Sequence, residues 1–425
     1  MIRKYLDQNA PSTQQFHELL QSYQSDFGAI LLRDCKKILQ KYEMAKISTG
    51  ELKVDTSYLL QYAWEKLHTG HWKDVNVCWR ILYAAIKVLF VLYSLRKSID
   101  ESQSEYYYCY TQFTEMICEL DYSLIMGYPV FDSFASKLAS ELHKCIKFGS
   151  KTPIQSKGKQ SYISFQLDDD VEPLTPSVTH LCELDRVNCP SLEEFSNLMN
   201  TGQPFIITNA INFWPAYHQL NTEHNWTLNY WKENFGHRLV PVEIGSKYTE
   251  ENWGQKLMTI NNFIDKYFAL NNVEVKDMIK GYLAHVFCEN DDNVNADNAE
   301  IHVDTNIWFG PKGTVSPLHH DSDRANLLTQ VKGFKYVILY PASQSAYLYA
   351  HTENMLSNTS RVDVEKPDFN KYPEFVNAHG FYGILSPGEM LYIPPRCWHH
   401  VRSLSASFSV NFWWDVVPSL IPPWQ

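Results

Sequence analysis

The spacing of apolar residues divides the chain into two parts. Over residues 1–148, apolar side chains recur at helical spacing, as in the run 79–89, which contains no helix breaker. From about Val178 onward, short apolar runs alternate with turns that contain Gly or Pro, a pattern typical of a sandwich or jelly roll. The predicted fold class is therefore α+β, with an all-α domain over 1–148, a polar linker over 149–177 and a β-rich domain with flanking helices over 178–425.

The β-rich part is predicted to consist of many short strands with few helices between them. Helices are expected at 191–199 and 256–268. Gly333 and Phe334 separate two of the apolar runs and predict a hairpin between them. The strands are predicted at 205–208, 240–244, 282–287, 306–309, 326–331, 335–340, 381–385, 390–393, 399–404 and 407–412.

Composition and charge indicate a globular protein and disfavour one class of partner. Of the 425 residues, 44% are hydrophobic and 20% are charged, and the formal net charge is -11. Direct binding of nucleic acid is not expected, because binding through bulk charge needs a basic face. An acidic protein instead suits a basic substrate, such as a protein segment that contains Arg or Lys.

Neither a membrane protein nor a disulfide-bonded protein is expected. The N-terminus lacks the apolar core of a signal peptide, and no apolar run reaches the roughly 18 residues of a membrane span. The longest apolar stretch, 84–95, contains Lys87 and predicts a buried helix. The nine cysteines form no Cys-x-x-Cys motif, so free thiols in the cytosol or nucleus are predicted.

Candidate metal chemistry begins with the segment that contains His319 and Asp321. In a strand, side chains alternate between faces, so His319 and Asp321 point the same way and His320 points away. A later pair, His399 and His400, could supply a second imidazole. Two imidazoles and one carboxylate are the ligand set of a mononuclear non-haem iron(II) site. Spacing alone leaves open which of the two later histidines takes part.

A His-x-Asp triplet alone is a weak signal, because a second triplet occurs at His302 and Asp304. Three features favour the later triplet: the turn at 310–313 before it, Lys335 on a following strand, and a Pro-Gly-Glu turn before the late histidines. Lys335 alternates with Val337 and Leu339, so it is expected to project into the barrel and anchor a dicarboxylate. The alternative is an edge lysine in solvent.

The segments 308–340 and 385–414 resemble the JmjC domain of 2-oxoglutarate-dependent oxygenases. Within that family they are most similar to arginyl hydroxylases, which are also described as histone lysine demethylases. The resemblance runs from about Asn188 to the C-terminus and includes the stretches 203–207 and 213–215. It implies a double-stranded β-helix of the jelly-roll, or cupin, type.

The resemblance also implies roles for individual residues. It implies His319, Asp321 and His399 as iron ligands. Trp308 and Trp413 could equally be core aromatics, and Asn326 is uncertain in placement because the segment 321–326 is one residue longer than the family pattern. The implied contacts of 2-oxoglutarate are Lys335, Tyr282, Asn326, Ser316, Trp308 and Trp413, with Ser409 and Asn411 as weaker candidates on the face of Trp413. The implied contacts of a substrate guanidinium are Glu243, Tyr248 and Trp253.

The predicted function is therefore an iron(II)- and 2-oxoglutarate-dependent dioxygenase that hydroxylates an arginine side chain of a protein or peptide. Dioxygen is the third small molecule of this reaction class. One alternative is a histone lysine demethylase that uses the same centre on methylated lysine. A second is a catalytically inactive JmjC scaffold, and a third is a cupin-type isomerase or sugar-binding jelly roll.

Overall fold

The computed structural model of the protein describes most of the chain. The described residues are 1–43, 48–71, 74–101, 110–149, 165–166, 180–217, 223–245, 253–269, 281–287, 303–352 and 356–423, with the backbone alone at 49, 101, 110, 147–149 and 281–287. The chain divides into two compact units, Met1–Gly158 with Lys232–Leu239, and Lys159–Trp231 with Val240–Gln425. The predicted linker lies almost entirely outside the described residues, so the predicted domain boundaries stay a prediction.

The first unit is helical, as predicted. Ser12 and Ser48 each begin a helix with a capping box, in which the serine hydroxyl accepts from the third residue of the helix and that side chain bonds back. Its helices are α1 Ile2–Asn9, α2 Thr13–Ser22, α3 Gln24–Glu43, α4 Thr49–Leu67, α5 Val77–Glu101, α6 Tyr110–Tyr122 with a π-helical turn Ser123–Gly127, and α7 Phe134–Gly149.

Helix α5 forms the centre of this unit. It is long and apolar enough to cross a membrane, but most of that stretch is buried inside the unit, as expected for a core helix. The unit also contains a buried ion pair. Asp121 is 2% exposed, and it accepts hydrogen bonds from Nε of Arg238 at 2.8 Å and from the Leu239 amide at 2.6 Å. Burial raises the pKa of Asp121, and the guanidinium opposes that rise.

The second unit is built on two β-sheets, which agrees with the predicted α+β class. In the described residues, one sheet has the order β1-β11-β10-β13-β8 and the other β2-β3-β12-β9-β14-β7-β6-β4-β5. Its elements are β1 Leu181–Glu183, β2 Arg186–Asn188, α8 Leu192–Met199, β3 Phe205–Thr208, α9 Leu228–Phe235 (which crosses the boundary between the units), β4 Leu239–Ile244, β5 Gly254–Thr259, α10 Ile260–Tyr267, β6 Gly281–Phe287, β7 Val303–Gly310, β8 Val315–His319, β9 Arg324–Lys332, β10 Lys335–Tyr340, β11 Gly380–Leu385, β12 Met390–Ile393, β13 Trp398–Ser403 and β14 Ser407–Asp415.

The two sheets enclose a shared interior. Leu328 and Leu391 of the larger sheet pack with Val337, Leu339 and other apolar residues of the smaller one in a single buried cluster. Strand β10 is buried along its whole length, because a second apolar cluster covers the opposite face of the smaller sheet. The predicted metal ligands and Lys335 lie at this interior.

The predicted hairpin at Gly333 is wrong. Strand β9 pairs with β12 and β14, whereas β10 pairs with β11 and β13, so the connection crosses from one sheet to the other. Gly333 has a φ of 74°, and a Cβ there would lie 1.9 Å from the Ala406 carbonyl oxygen. The connection therefore needs glycine for its conformation and for its close approach to the neighbouring chain. The helix predicted over 256–268 is shorter than expected, since β5 runs to Thr259, whose hydroxyl caps α10.

Candidate metal centre

The structure brings His319, Asp321 and His399 together. Their ligand atoms all lie within 4.8 Å of one another. Nε2 of His319 is 3.8 Å from one carboxylate oxygen of Asp321, and Nε2 of His399 is 3.6 Å from the other. His319 ends β8 and His399 lies directly opposite it on β13. Three donors of this kind in one small volume fit a metal ion with two imidazole ligands and one carboxylate ligand.

Hydrogen bonds orient both imidazoles. Nδ1 of His319 is 2.8 Å from the carbonyl oxygen of Pro317, and Nδ1 of His399 is 3.1 Å from that of Cys397. Each Nδ1 therefore donates, and each Nε2 is left with its lone pair toward the third ligand. Burial, with a smaller contribution from His319, lowers the pKa of His399 to about 4. The His399 ring is thus neutral at physiological pH, as metal ligation requires.

Two side chains of the larger sheet hold the carboxylate of Asp321. Nδ2 of Asn326 donates to its Oδ2 at 2.9 Å, and Nε1 of Trp413 donates to the same oxygen at 2.8 Å. Burial on its own would raise the pKa of Asp321, but His399, His319 and these two hydrogen bonds together hold the pKa below its usual value. The carboxylate is therefore ionised and fixed in direction. Asn326 and Trp413 contact a metal-ligand candidate, a role that differs from the predicted contact with 2-oxoglutarate.

The histidines beside the triad point away from it. His320 packs its ring edge-on against Trp398 at 4.7 Å. His400 lies opposite Ile338, on the outer face of the smaller sheet, and its Nε2 contacts Glu365 at 2.8 Å. Alternation predicted this for His320, although β8 ends at His319 and His320 lies just beyond it. For His400, the register that spacing had left open is given by the pairing of β13 with β10.

The aspartate of the second His-x-Asp triplet is not part of the cluster formed by His319, Asp321 and His399. His302 lies outside the described residues, and Asp304 forms an ion pair with Arg324. The same guanidinium donates to the Trp413 carbonyl at 3.1 Å. Sequence reasoning singled out Asp304 but missed Arg324, whose partners are far from it along the chain.

Lys335 lies inside the barrel, as alternation with Val337 and Leu339 predicts. It is 2% exposed, and burial lowers its pKa to about 7. It pairs across the sheet with Ser403, four strand positions from the Leu339–His399 pair. That separation along the strand is about 13 Å, which a lysine side chain and a short dicarboxylate can span together.

Hydroxyl groups that sequence reasoning missed lie on the same face. The hydroxyl of Thr314 donates to that of Ser403 at 2.9 Å, and Ser403 is 3.1 Å from the hydroxyl of Ser407. All three residues are buried. Alternation could have found Ser403, because it stands two residues after Val401 and four after His399. A buried cation with hydroxyls beside it is suited to an anionic group.

Three other residues, Trp308, Ser316 and Tyr282, were also predicted to contact 2-oxoglutarate. Trp308 packs against the interior cluster, donates from Nε1 to Oδ1 of Asn411 at 2.9 Å, and meets Trp413 edge-on with ring centroids 6.2 Å apart. Ser316 pairs with Val401, beyond a bulge in β8. The side chain of Tyr282 lies outside the described residues. Its backbone pairs with Glu243.

Two buried amide oxygens lie near this part of the larger sheet. Oδ1 of Asn306 and Oδ1 of Asn326 have no hydrogen-bond partner among the residues that the structure describes. Asn306 stands two residues before Trp308 and pairs with Asn411, so it projects from the same face. Buried amide oxygens require a donor, which a ligand or a bound water could supply. Sequence reasoning missed Asn306, although its spacing from Trp308 was visible.

The predicted guanidinium site is described only in part. Glu243 is half-buried, and burial raises its pKa, while Trp253 partly offsets that rise. Tyr248 lies outside the described residues. The register of β4, β6 and β7 places Glu243 and Trp308 on the same face of the larger sheet. Glu243 therefore projects from the sheet face that carries the metal-site residues.

The chain is similar to known proteins over most of its length. A family model for a cupin-like domain matches residues 191–419. Lysine-specific demethylase 8 of Danio rerio is 37% identical over 370 residues, which cover 84% of this chain and 86% of that protein. JmjC domain-containing protein D of Dictyostelium discoideum is 32% identical, and the match covers 93% of this chain and 92% of that protein. Jumonji C domain-containing protein 5 of Drosophila melanogaster is also 32% identical, and the match covers 84% of this chain and 85% of that protein.

Proposed function

The chain belongs to the family of JmjC-domain oxygenases with a cupin-like fold, and we propose that it is an iron(II)- and 2-oxoglutarate-dependent protein hydroxylase acting on arginine side chains. The observation that carries the proposal is the buried Lys335 in the same interior as the His319, Asp321 and His399 triad. A metal site alone serves many reactions. A buried lysine on the interior face that also carries His399 can bind the carboxylate of an anionic cosubstrate.

The donor set fits iron(II). His319, Asp321 and His399 would hold the ion, and each ligand is oriented by hydrogen bonds of its own. Iron with 2-oxoglutarate and dioxygen supplies the oxidising chemistry that protein side chains lack. The protein's part is to fix the three ligands and to keep the cavity dry.

Lys335 would bind the far carboxylate of 2-oxoglutarate. Its ammonium can form a charge-assisted hydrogen bond there, and the hydroxyls of Thr314 and Ser403 lie on the same face. The walls between this end and the metal end include Trp308 and apolar residues of the interior cluster. These walls exclude water from the reacting region.

Arginine as the substrate is supported by Glu243. Its carboxylate is half-buried with a raised pKa, and no Lys or Arg among the described residues forms an ion pair with it. A guanidinium would neutralise it and could stack on the nearby indole of Trp253. The chain's net charge of -11 also suits a basic peptide.

A second candidate is removal of methyl groups from lysine. It is favoured by the names of two relatives, Lysine-specific demethylase 8 of Danio rerio and Lysine-specific demethylase JMJ30 of Arabidopsis thaliana. The same centre would hydroxylate an N-methyl group in place of a side-chain carbon. Either substrate is a protein, and the proposed location is the nucleus, the cytoplasm or both.

Succinate formation tests the enzyme proposal. Wild-type protein with iron(II) and 2-oxoglutarate is expected to form succinate, and His319→Ala is expected to lose that activity. His320→Ala is a matched control, because its ring faces Trp398 and not the triad. Equal turnover by wild type and His319→Ala would refute the proposal. Unchanged arginine hydroxylation by Glu243→Ala would refute the assignment of the guanidinium site.

A further inference from the structure

The larger sheet carries a partly buried ion pair next to Asn326 and Trp413, and the proposed reaction does not use it. Arg324 begins β9, and its Nη1 pairs with Asp304 of β7. Its Nη2 donates to the Trp413 carbonyl of β14 at 3.1 Å. One guanidinium therefore joins three neighbouring strands. The second carboxylate in reach, that of Asp415, is 82% exposed, and water screens its contribution.

The residue held by this bridge touches the metal centre. Trp413 pairs with Asp304 on one side and with Asn326 on the other. Its indole Nε1 donates to Oδ2 of Asp321 at 2.8 Å. Fixing the Trp413 peptide fixes the direction from which its side chain leaves the strand, and thus the aim of the indole at the carboxylate.

We propose that Arg324 and Asp304 are positioning residues for the metal centre, acting through Trp413 on the carboxylate of Asp321. The inference rests on the proposed iron site, and it adds residues that contact neither metal nor substrate. Partners of this kind fix the orientation of a ligand, and their loss typically lowers metal affinity about 10- to 100-fold. A lysine cannot replace the arginine, because bridging a carboxylate and a carbonyl needs the planar fork of the guanidinium.

Binding of Co²⁺ to the full-length protein, followed by visible absorption without 2-oxoglutarate or peptide, tests the inference. We expect Arg324→Gln to weaken Co²⁺ binding about tenfold, and Trp413→Phe to weaken it by a similar factor. If Arg324 acts through Trp413, the double variant should bind within about twofold of Trp413→Phe alone. Arg324→Lys should resemble Arg324→Gln.

A matched ion pair in the same unit provides the control. Arg186 also bridges a carboxylate and a carbonyl: its Nη1 pairs with Glu389, and its Nη2 donates to the Ile384 carbonyl at 2.8 Å. Arg186→Gln should leave Co²⁺ affinity unchanged. If Arg324→Gln does not fold, Asp304→Asn keeps the guanidinium while weakening the bridge and carries the same expectation.

Three results would overturn the inference. They are Co²⁺ binding by Arg324→Gln within about twofold of wild type, losses that multiply in the double variant, and an equal loss in Arg186→Gln. The assay uses neither 2-oxoglutarate nor substrate, so it is independent of the succinate test. A chain that binds Co²⁺ as expected but forms no succinate would refute the proposed function and leave the positioning role standing.

Discussion

Replacing Lys335 with methionine should change stability and ligand binding in opposite directions. Lys335 is 2% exposed, and burial lowers its pKa from 10.5 to about 7. A shift of that size corresponds to about 5 kcal/mol of disfavoured charge. This is an upper limit, because the surroundings of a buried charge relax and offset part of the cost. Methionine matches the lysine side chain up to Cε and lacks the charged ammonium.

The sign of the stability effect follows from the two pKa values. Below the folded-state pKa of about 7, Lys335 is protonated in both the folded and the unfolded chain, so the full cost of burying the charge is present. As pH rises from about 7 to 10.5, only the unfolded chain stays protonated, and the cost shrinks to zero. The ligand-free Lys335→Met variant should therefore be more stable than wild type by a few kcal/mol near neutral pH. This advantage should fade in alkaline solution.

The Lys335→Met variant should bind 2-oxoglutarate more weakly than wild type. Loss of one charge-assisted hydrogen bond costs about 1.5–3 kcal/mol, which is roughly a 10- to 150-fold loss of affinity. Only the ammonium form anchors a carboxylate, so wild-type affinity should also fall about tenfold per pH unit above 7, whereas that of the variant should not change.

Chemical denaturation of the ligand-free proteins and calorimetric titration of 2-oxoglutarate into Mn²⁺-loaded protein measure the two effects. Each is performed at pH values on both sides of about 7. A Lys335→Met variant that is less stable than wild type without ligand would refute the reasoning on burial. Wild-type binding that is independent of pH would refute the anchoring role.

Three further predictions concern positions with other roles. Asn326→Ala should weaken Co²⁺ binding about tenfold or more, because it removes one of two hydrogen bonds to the metal-binding carboxylate, and unchanged affinity in a titration would contradict this. Gly333→Ala should lower the free energy of unfolding by more than about 1 kcal/mol, since its Cβ would meet the Ala406 carbonyl at 1.9 Å, and a denaturation midpoint equal to wild type would refute that account of the crossover. Asp121→Ala should destabilise the helical unit by about 3 kcal/mol, because the half-buried Arg238 guanidinium and the buried Leu239 amide both lose their partner, and calorimetry should show this with Co²⁺ affinity unaltered.

Strand alternation was enough to predict much of the site. Placing Lys335 with Val337 and Leu339 requires only that the segment be a strand. Alternation also predicted that His319 and Asp321 lie together, although β8 ends at His319 and Asp321 lies beyond it. The choice between His399 and His400 required the strand register, because it depends on how β13 pairs with its neighbours and on a bulge in β8 opposite it.

Other features depend on contacts between distant residues. The hairpin prediction failed because two consecutive strands lie in different sheets, and local turn signals do not report sheet membership. The ion pair of Arg324 with Asp304 spans 20 residues, and its bond to the Trp413 carbonyl spans 89. No local pattern of residues predicts such a partner.

Mass spectrometry of peptides after reaction tests the central claim most directly. Arginine-containing and methyl-lysine-containing peptides are incubated with wild type, His319→Ala or Glu243→Ala in the presence of isotopically labelled dioxygen, iron(II) and 2-oxoglutarate. The account predicts that wild type adds one labelled oxygen atom to an arginine side chain, and that both variants do not. Loss of a methyl group from lysine with arginine unmodified would contradict the arginine assignment, and the absence of any oxygen-dependent product would contradict the proposed function.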